Sequence, residues 1–446
     1  MYEIPQELKY KEKIIFGLTF SQIAWALPFL VLILIILARS KFDLTLKLTL
    51  VLILGVLAAL FMFFDLYHKL KNFYLWIKFR NATTMSLKMK KFLGIKDIKD
   101  NYIESKNNIA ILEITPINFS IKTDKEKMYI TRGFQKFLNA LDFPVQILMT
   151  TSPLNIDNYL NKLKSDKFNN DFNDYKEFLT KTIKDNKVMN RNFYVILRET
   201  SNLKIQLDIC KEKLESIGIK SRQLETEELK DLFIDLFSKD IINKADKEVM
   251  KEDYLHYLIS PKSIENYPDS IKINNQFNRI ISVYGYPRMV ESGFLDKIIT
   301  TKGDFNLSLH IEPIPIEMTM IMLDKELQKQ RADLYSLKIR NQINPSLEIK
   351  HNDTKRILEE LQKGTQKLYN VSMYINCKAE TKEELNLLTK KIESDLNSLM
   401  IIPRIPNFQM LQGLKSTSPL AIDGLKQSRN VTTEALSAFF HSRVLS

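Results

Sequence analysis

The residues able to do chemistry are few and scattered. Five histidines, His68, His256, His310, His351 and His441, stand far apart in a chain of 446 residues. None lies in an HExxH arrangement, and Cys210 and Cys377 have no paired spacing. Metal ligation needs clustered His, Cys or carboxylate donors, so no metal site is expected. The two cysteines give no disulfide framework and read as reduced cytosolic thiols. The 11 glycines include no G-x-x-x-x-G-K-[ST] run, so the backbone cradle for a nucleotide phosphate is missing. No G-x-S-x-G elbow presents a serine nucleophile. Each lone histidine reads as surface or satisfied core. No catalytic residue and no cofactor is assigned, and the chain is not expected to be an enzyme. An enzyme assembled from distant residues stands as an alternative.

What does stand out is basic. Lys69, Lys71, Lys78, Arg80, Lys88, Lys90 and Lys91 crowd one short stretch, and no acidic residue occurs between Leu66 and Lys96. The whole chain carries a formal charge of +12. Such a run attracts anionic lipid headgroups or nucleic-acid phosphates. Phe73, Tyr74, Trp76 and Phe79 interleave with the charges, which suits base stacking or an amphipathic helix lying on a membrane surface. The membrane-surface helix is the preferred reading, because of what precedes it.

Two apolar stretches come first. Gly17 to Ala38 contains no charged residue, and Leu44 to Phe64 contains only Lys47. At about 1.5 Å per residue each crosses a hydrocarbon core of about 30 Å. Lys47 is near one end, where its stem can snorkel to the interface. Arg39 to Asp43 is too short for anything but an antiparallel hairpin. Lys9, Lys11 and Lys13 precede the first span, and the basic run follows the second. The positive-inside rule then places the N-terminus and the body in the cytoplasm, with two spans in the inner or plasma membrane. A cleaved signal peptide is disfavoured by the length of the first span and by the second span behind it.

The remainder reads as α+β: an N-terminal two-helix transmembrane hairpin followed by a soluble body of two mixed strand/helix lobes. Ile109 and Ile111, then Ile117, Phe119 and Ile121 beyond Pro116, alternate as strand. Thr123 with Glu126 is a capping box for a helix carrying Phe134, Phe137, Leu138 and Leu141. Strands are expected at Phe143–Met149 and Phe193–Leu197, with two helical stretches over 155–185 between them. Helices follow at Asn202–Ile217 and Glu227–Phe237. A second unit offers strands at Arg279–Tyr286, Phe305–Ile311 and Val371–Ile375. Its helices are expected at Glu317–Asn341, at Thr354–Leu368 and after a second box, Thr381 with Glu384. The order suggests a duplicated theme, although no sequence repeat is visible. The boundaries are 1–66 for arm and hairpin, 67–100 for the basic neck and 101–238 for the first lobe. A polar connection over 239–276, a second lobe over 277–415 and a tail over 416–446 complete the chain.

The opening YEIPQELKYKEKIIFGLTFSQIAWALPFL resembles the PrgI family of conjugative-transfer membrane proteins. The body is similar to the N-terminal, pre-ATPase region of the TraC-like ATPases of type IV secretion systems. ILEITPINFSIKTDKEKMYITRGFQKFLNALDFPVQIL, RNFYVIL, ISVYGYPRMVESGFLDKIIT, SLHIEPIP and SRNVTTEALSAFF carry that likeness. The resemblance implies a structural subunit that docks the secretion ATPase on the cytoplasmic face of the transfer channel. Implied partners are membrane lipid, other channel subunits, the ATPase domain of a separate chain and further copies of itself. In that family the threonine-rich segment leads into a nucleotide-binding domain, whereas this chain ends at HSRVLS. The expectation is therefore a frameshift, a split gene or a truncated reading frame, with a non-functional remnant as one alternative. A tethered subunit contacting the transferred DNA is another.

Overall fold

The computed structural model describes residues 2–5, 13–15, 18–39, 43–83, 93–115, 122–153, 189–237 and 263–439, with isolated positions between them. Two compact units emerge: Lys9–Phe79, and a body made of Met1–Leu8 with Arg80–Ser446. The chain opens with strand β1 (Tyr2–Glu3), which belongs to the body.

In the smaller unit β2 (Lys13–Ile15) pairs with β3 (Leu18–Thr19) and leads into helix α1 (Phe20–Arg39). Thr19 and Gln22 close the start of that helix. The Thr19 N–H donates to Gln22 Oε1 at 2.9 Å, and the Gln22 N–H donates back to Thr19 Oγ1 at 3.4 Å. Helix α2 (Leu44–Phe63) returns alongside. Trp25 and Phe29 of α1 each pack on Phe61 of α2, with ring centroids 5.4 Å apart. Asp65, at φ 48°, turns the chain into α3 (Leu66–Lys78), whose Tyr67 ring sits 5.0 Å from Trp25.

The first half of the body runs β4 (Asn81–Thr83), β5 (Asp97–Lys99), β6 (Tyr102–Glu104), β7 (Ile109–Ile114), α4 (Asp124–Ala140), β8 (Val145–Pro153) and β9 (Met189–Arg198). Helix α5 (Leu203–Ser216), β10 (Ser221–Gln223) and α6 (Thr226–Phe237) finish it. The second half starts with β11 (Ser263–Asn266), β12 (Ile271–Ile273), β13 (Gln276–Gly285), β14 (Met289–Val290), α7 (Asp296–Ile299) and β15 (Asp304–Pro313). Then come α8 (Ile316–Ile339), α9 (Pro345–Gln362), β16 (Leu368–Ala379), α10 (Lys382–Ser398), β17 (Ile402–Arg404) and α11 (Met410–Ser416). The last elements are β18 (Arg429–Thr432) and α12 (Thr433–Ser437).

Apart from β1 and β14, these strands form one 14-stranded antiparallel sheet. Its central order is β13-β16-β15-β8-β9-β7. The two halves repeat one topology. In the first, β8, β9 and β7 lie side by side, and β10 with the hairpin β5–β6 borders β7. In the second, β15, β16 and β13 lie side by side, and β17 with the hairpin β11–β12 borders β13. Each is a split βαβ unit of ferredoxin-like order. They meet antiparallel at β8 and β15, where Val145 faces Ile311, Ile147 faces Leu309 and Met149 faces Leu307. A local two-fold axis passes between Ile147 and Leu309. The expected duplication is thus present in the strand pairing.

The sheet is covered on both faces, which explains its unbroken apolar runs. In β7, Ala110 and Leu112 join a core with Phe134, Phe137 and Leu138 of α4, Leu207 of α5 and Ile392 of α10. Ile109 and Ile111 point the other way, into a core with Leu229 and Phe233 of α6 and Met410 and Leu414 of α11.

The two lobes of the body are the halves of one sheet, joined where β8 and β15 pair edge to edge. Three expectations change. The polar connection over 239–276 contains β11 and β12. Tyr267 to Ser270 turns β11 into β12, and Asn274, at φ 54°, turns β12 into β13 while its Oδ1 accepts from the Ser263 N–H at 3.2 Å. The tail over 416–446 is part of the body as far as Phe439, because β18 pairs with β16 and Phe439 is buried. The helix expected at Thr354–Leu368 starts earlier, at Pro345, because Asn344 caps it and proline fits a first helical position. Gly364, at φ +70°, lies just past its end, and Leu368 begins a strand. The expected strand residues Ile117, Phe119 and Ile121, and nearly all of the stretch 155–185, lie outside the described residues.

Candidate functional site

Three places merit functional reading: the apolar hairpin with its basic neck, the N-terminal arm on the body, and the polar interior of the sheet.

In the hairpin unit, Gln22–Arg39 and Leu44–Phe63 are long and apolar enough to cross a membrane, and neither stretch is buried in the fold. A core hairpin of a water-soluble protein would be mostly buried, so the exposure of both stretches is compatible with membrane spans. The basic neck begins as expected with a helix. On α3, Leu66, Leu70, Phe73 and Ile77 repeat at helical spacing and form one stripe, with Tyr67 and Tyr74 beside it. Lys71 and Lys78 lie past the tyrosines, and Lys69 lies on the other flank. No residue of α3 is buried, and Phe73 stacks on Trp76 with centroids 5.6 Å apart. Arg80 falls just past the helix, its carbonyl accepting from the Asn266 N–H at 2.7 Å. Lys88, Lys90 and Lys91 lie outside the described residues.

The arm was missed as a contact site by the sequence reading. Tyr2 and Glu3 pair with Val290 and Met289 of β14, and the Ile4 N–H donates to the Arg288 carbonyl at 2.8 Å. Ile4 is only 6% exposed and joins the core that holds Val290, Ile298 and Phe439. Glu3 Oε1 accepts from Arg288 Nε at 2.9 Å and Nη2 at 2.8 Å, while its Oε2 accepts from Arg356. Asp353 accepts from Arg288 Nη2 at 2.7 Å and completes the cluster. Partial burial raises the Glu3 carboxyl, but the hydrogen bonds and charges of the two arginines outweigh it and hold it below its usual range. Burial and the nearby Glu3 charge push Asp353 the other way. Nothing local in the sequence links Glu3 to Arg288 and Arg356, so only the fold could reveal the clamp.

Around His310 and Asp423 the polar interior is hydrogen-bonded within the fold. His310 Nε2 lies 2.7 Å from the Ser416 carbonyl and 3.2 Å from Ser308 Oγ. Ser308 Oγ itself donates to that carbonyl at 2.8 Å. Burial lowers the His310 pKa from its ordinary range, against the opposing pull of Asp423 and the Ser416 carbonyl. Asp423 accepts from Ser372 Oγ and from Tyr374 Oη, both at 2.7 Å. These bonds sew residues 416–427 onto the sheet. A cleft of about 890 Å³ opens where β8, β9, β15 and β16 end. Its charged lining is mainly acidic: Glu113, Glu228, Asp231, Asp235, Asp304 and Glu380 against Arg222 and Lys378. Asp304 is already engaged by Lys378 at 3.3 Å and by Thr151 Oγ1 at 2.5 Å. A cleft of that sign repels phosphate. Among the described residues, no group of three or more His, Cys, Asp or Glu is placed to hold a metal ion.

Residues 110–400 match the family described as TraC protein, which is well over half of the chain. The chain belongs to the TraC protein family. The match covers both halves of the sheet and starts beyond the hairpin, so the likeness of the body is upheld. No curated protein matches the chain.

Proposed function

We propose that this TraC-family chain is a membrane-anchored docking component of a conjugative type IV secretion system. The hairpin, a PrgI-like element, sits in the inner or plasma membrane. The body faces the cytoplasm and holds the secretion ATPase at the channel. The role is structural, not catalytic. One observation carries this reading: a TraC-family body is covalently continuous with two unburied apolar helices. The excess of lysine and arginine beside both outer ends of the hairpin supports the orientation. Anchoring replaces a bimolecular encounter between channel and motor by an intramolecular one. The acidic lining of the cleft speaks against the alternative of a DNA-contacting subunit that would bind there.

The test uses cells that carry the transfer machine. The full chain is expected to stay in the membrane after alkaline extraction and to co-purify with the secretion ATPase. Deleting Phe20–Phe63 should release the body and abolish DNA transfer. Transfer at the normal frequency without the hairpin would overturn the proposal.

A further inference from the structure

The second half of the body has a gap that the first half does not. Between β7 and β8 the first half has α4, which is 17 residues long. Between β13 and β15 the second half has only β14 and α7, which is 4 residues long. The core beneath α7 is completed by chain ends: Ile4 from the arm, and Ala435, Leu436 and Phe439 near the other end. The arm makes this contact as an extended peptide. It contributes a two-residue strand, one apolar side chain in a core and one carboxylate between two arginines. That is the pattern of strand-addition peptide recognition, with backbone pairing for affinity and alternate side chains for specificity. The residues that follow the arm, Lys9–Phe79, form a separate unit. No arm contact therefore requires the arm and the body to come from the same chain.

We propose that the surface formed by Arg288, β14, Tyr286 and Arg356 is a peptide-docking site for a Tyr-Glu-Ile-Pro arm, and that it also accepts the arm of a neighbouring copy. Exchange of an identical segment between copies is a low-cost route to association. Anchoring in one membrane raises the effective concentration of neighbouring arms. The proposal deepens the docking role by naming how one anchored copy grips another, and it rests on that reading only for the membrane setting.

The test uses the full chain in detergent with Tyr2–Pro5 deleted, its fold checked by far-UV circular dichroism. A fluorescent peptide of residues 1–9 is titrated and followed by anisotropy. Saturable binding is expected, with a Glu3→Ala peptide at least tenfold weaker. The intact chain, its site already filled, should bind at least tenfold more weakly than the deleted one. Should the deletion fail to fold, a Glu3→Lys chain replaces it under the same criteria. In a second arm, the deleted chain is mixed with an Arg288→Glu, Arg356→Glu chain carrying another tag. One supplies the site and the other the arm, so the two should co-purify. Absence of peptide binding, equal binding of the Glu3→Ala peptide, or failure of the pair to co-purify overturns the proposal. Sedimentation with membranes is independent of all of these, because the deletion leaves both apolar helices in place.

Discussion

Helix α3 offers the sharpest test of what the basic neck does. Its exposed stripe includes Leu70, Phe73 and Ile77, each 43–53% exposed, and Tyr74 at 62%. In water such a stripe is unsatisfied. At a bilayer interface it inserts while Lys69, Lys71 and Lys78 stay at headgroup depth. A peptide of residues 66–80 isolates the effect. Each lysine near an anionic surface contributes about 1 kcal/mol, so replacing all three by Gln removes about 3 kcal/mol. At about 1.4 kcal/mol per factor of ten, partitioning into anionic vesicles should fall by more than a hundredfold. The loss should shrink as salt rises, since the screening length is about 10 Å at 0.1 M and about 3 Å at 1 M. Replacing Leu70 and Phe73 by Ser should weaken binding to neutral and anionic vesicles alike. Tyrosine and tryptophan fluorescence reads the partition, and circular dichroism reads helix formation. If the Gln peptide binds anionic vesicles as the native one does, lipid charge is not what these lysines meet.

The other predictions concern the body. Phe439 is 1% exposed, with the rings of Tyr286 at 5.5 Å and Phe294 at 5.6 Å. Phe439→Ala should cost about 3–5 kcal/mol in urea unfolding, and a loss below about 1 kcal/mol would remove this segment from the core. A Cβ added at Gly413 meets Ile280 Cγ1 and Cγ2 at 2.8 Å, so Gly413→Ala should cost about 1–3 kcal/mol by overpacking. Glu3 has a depressed folded pKa, so its clamp contributes fully above the ordinary carboxylate range and is lost as pH falls through the folded pKa. The protection of the Ile4 amide, measured against its intrinsic exchange rate at each pH, should then fall in acid, and unchanged protection would argue against the clamp. Burial pushes the Cys210 and Cys377 thiols up to about 12. Neither should react with a thiol reagent at neutral pH until the protein is unfolded.

Much of the scaffold could be read from local pattern. The hairpin was legible because unbroken apolar length has few other meanings. The boxes at Thr123 and Thr381 were legible because a cap is decided within four residues, and both side chains accept from the third helical N–H. The strand of Phe193–Leu197 was legible because both faces of the sheet are covered. What depended on distance was not. The short strands β11 and β12 consist largely of polar residues, and Asn266 and Ser270 are buried only because the fold places them at a turn. Glu3 finds Arg288 and Arg356 only after nearly the whole chain has folded. The basic and apolar residues of the neck could be picked out because they are contiguous, and the arm contacts could not because they are remote.

The duplication shows why topology can outlast sequence likeness. A strand covered on both faces asks only for apolar side chains, so β7 as IAILEI and β13 as QFNRIISVYG satisfy the same demand with almost no shared residues. Register is held by the pairing at Ile147 and Leu309 and by the matched borders β10 and β17, not by particular identities. The halves diverge where one of them must join something else. The first keeps a full helix over its core and is closed. The second has a single turn there, and two remote segments complete it: the arm through Ile4, and Ala435, Leu436 and Phe439. The arm is therefore built into the core of the body through Ile4 rather than added at its surface. On that ground, loosening the arm should disturb the second half, read at α7 and β14 by hydrogen exchange, before the first half responds.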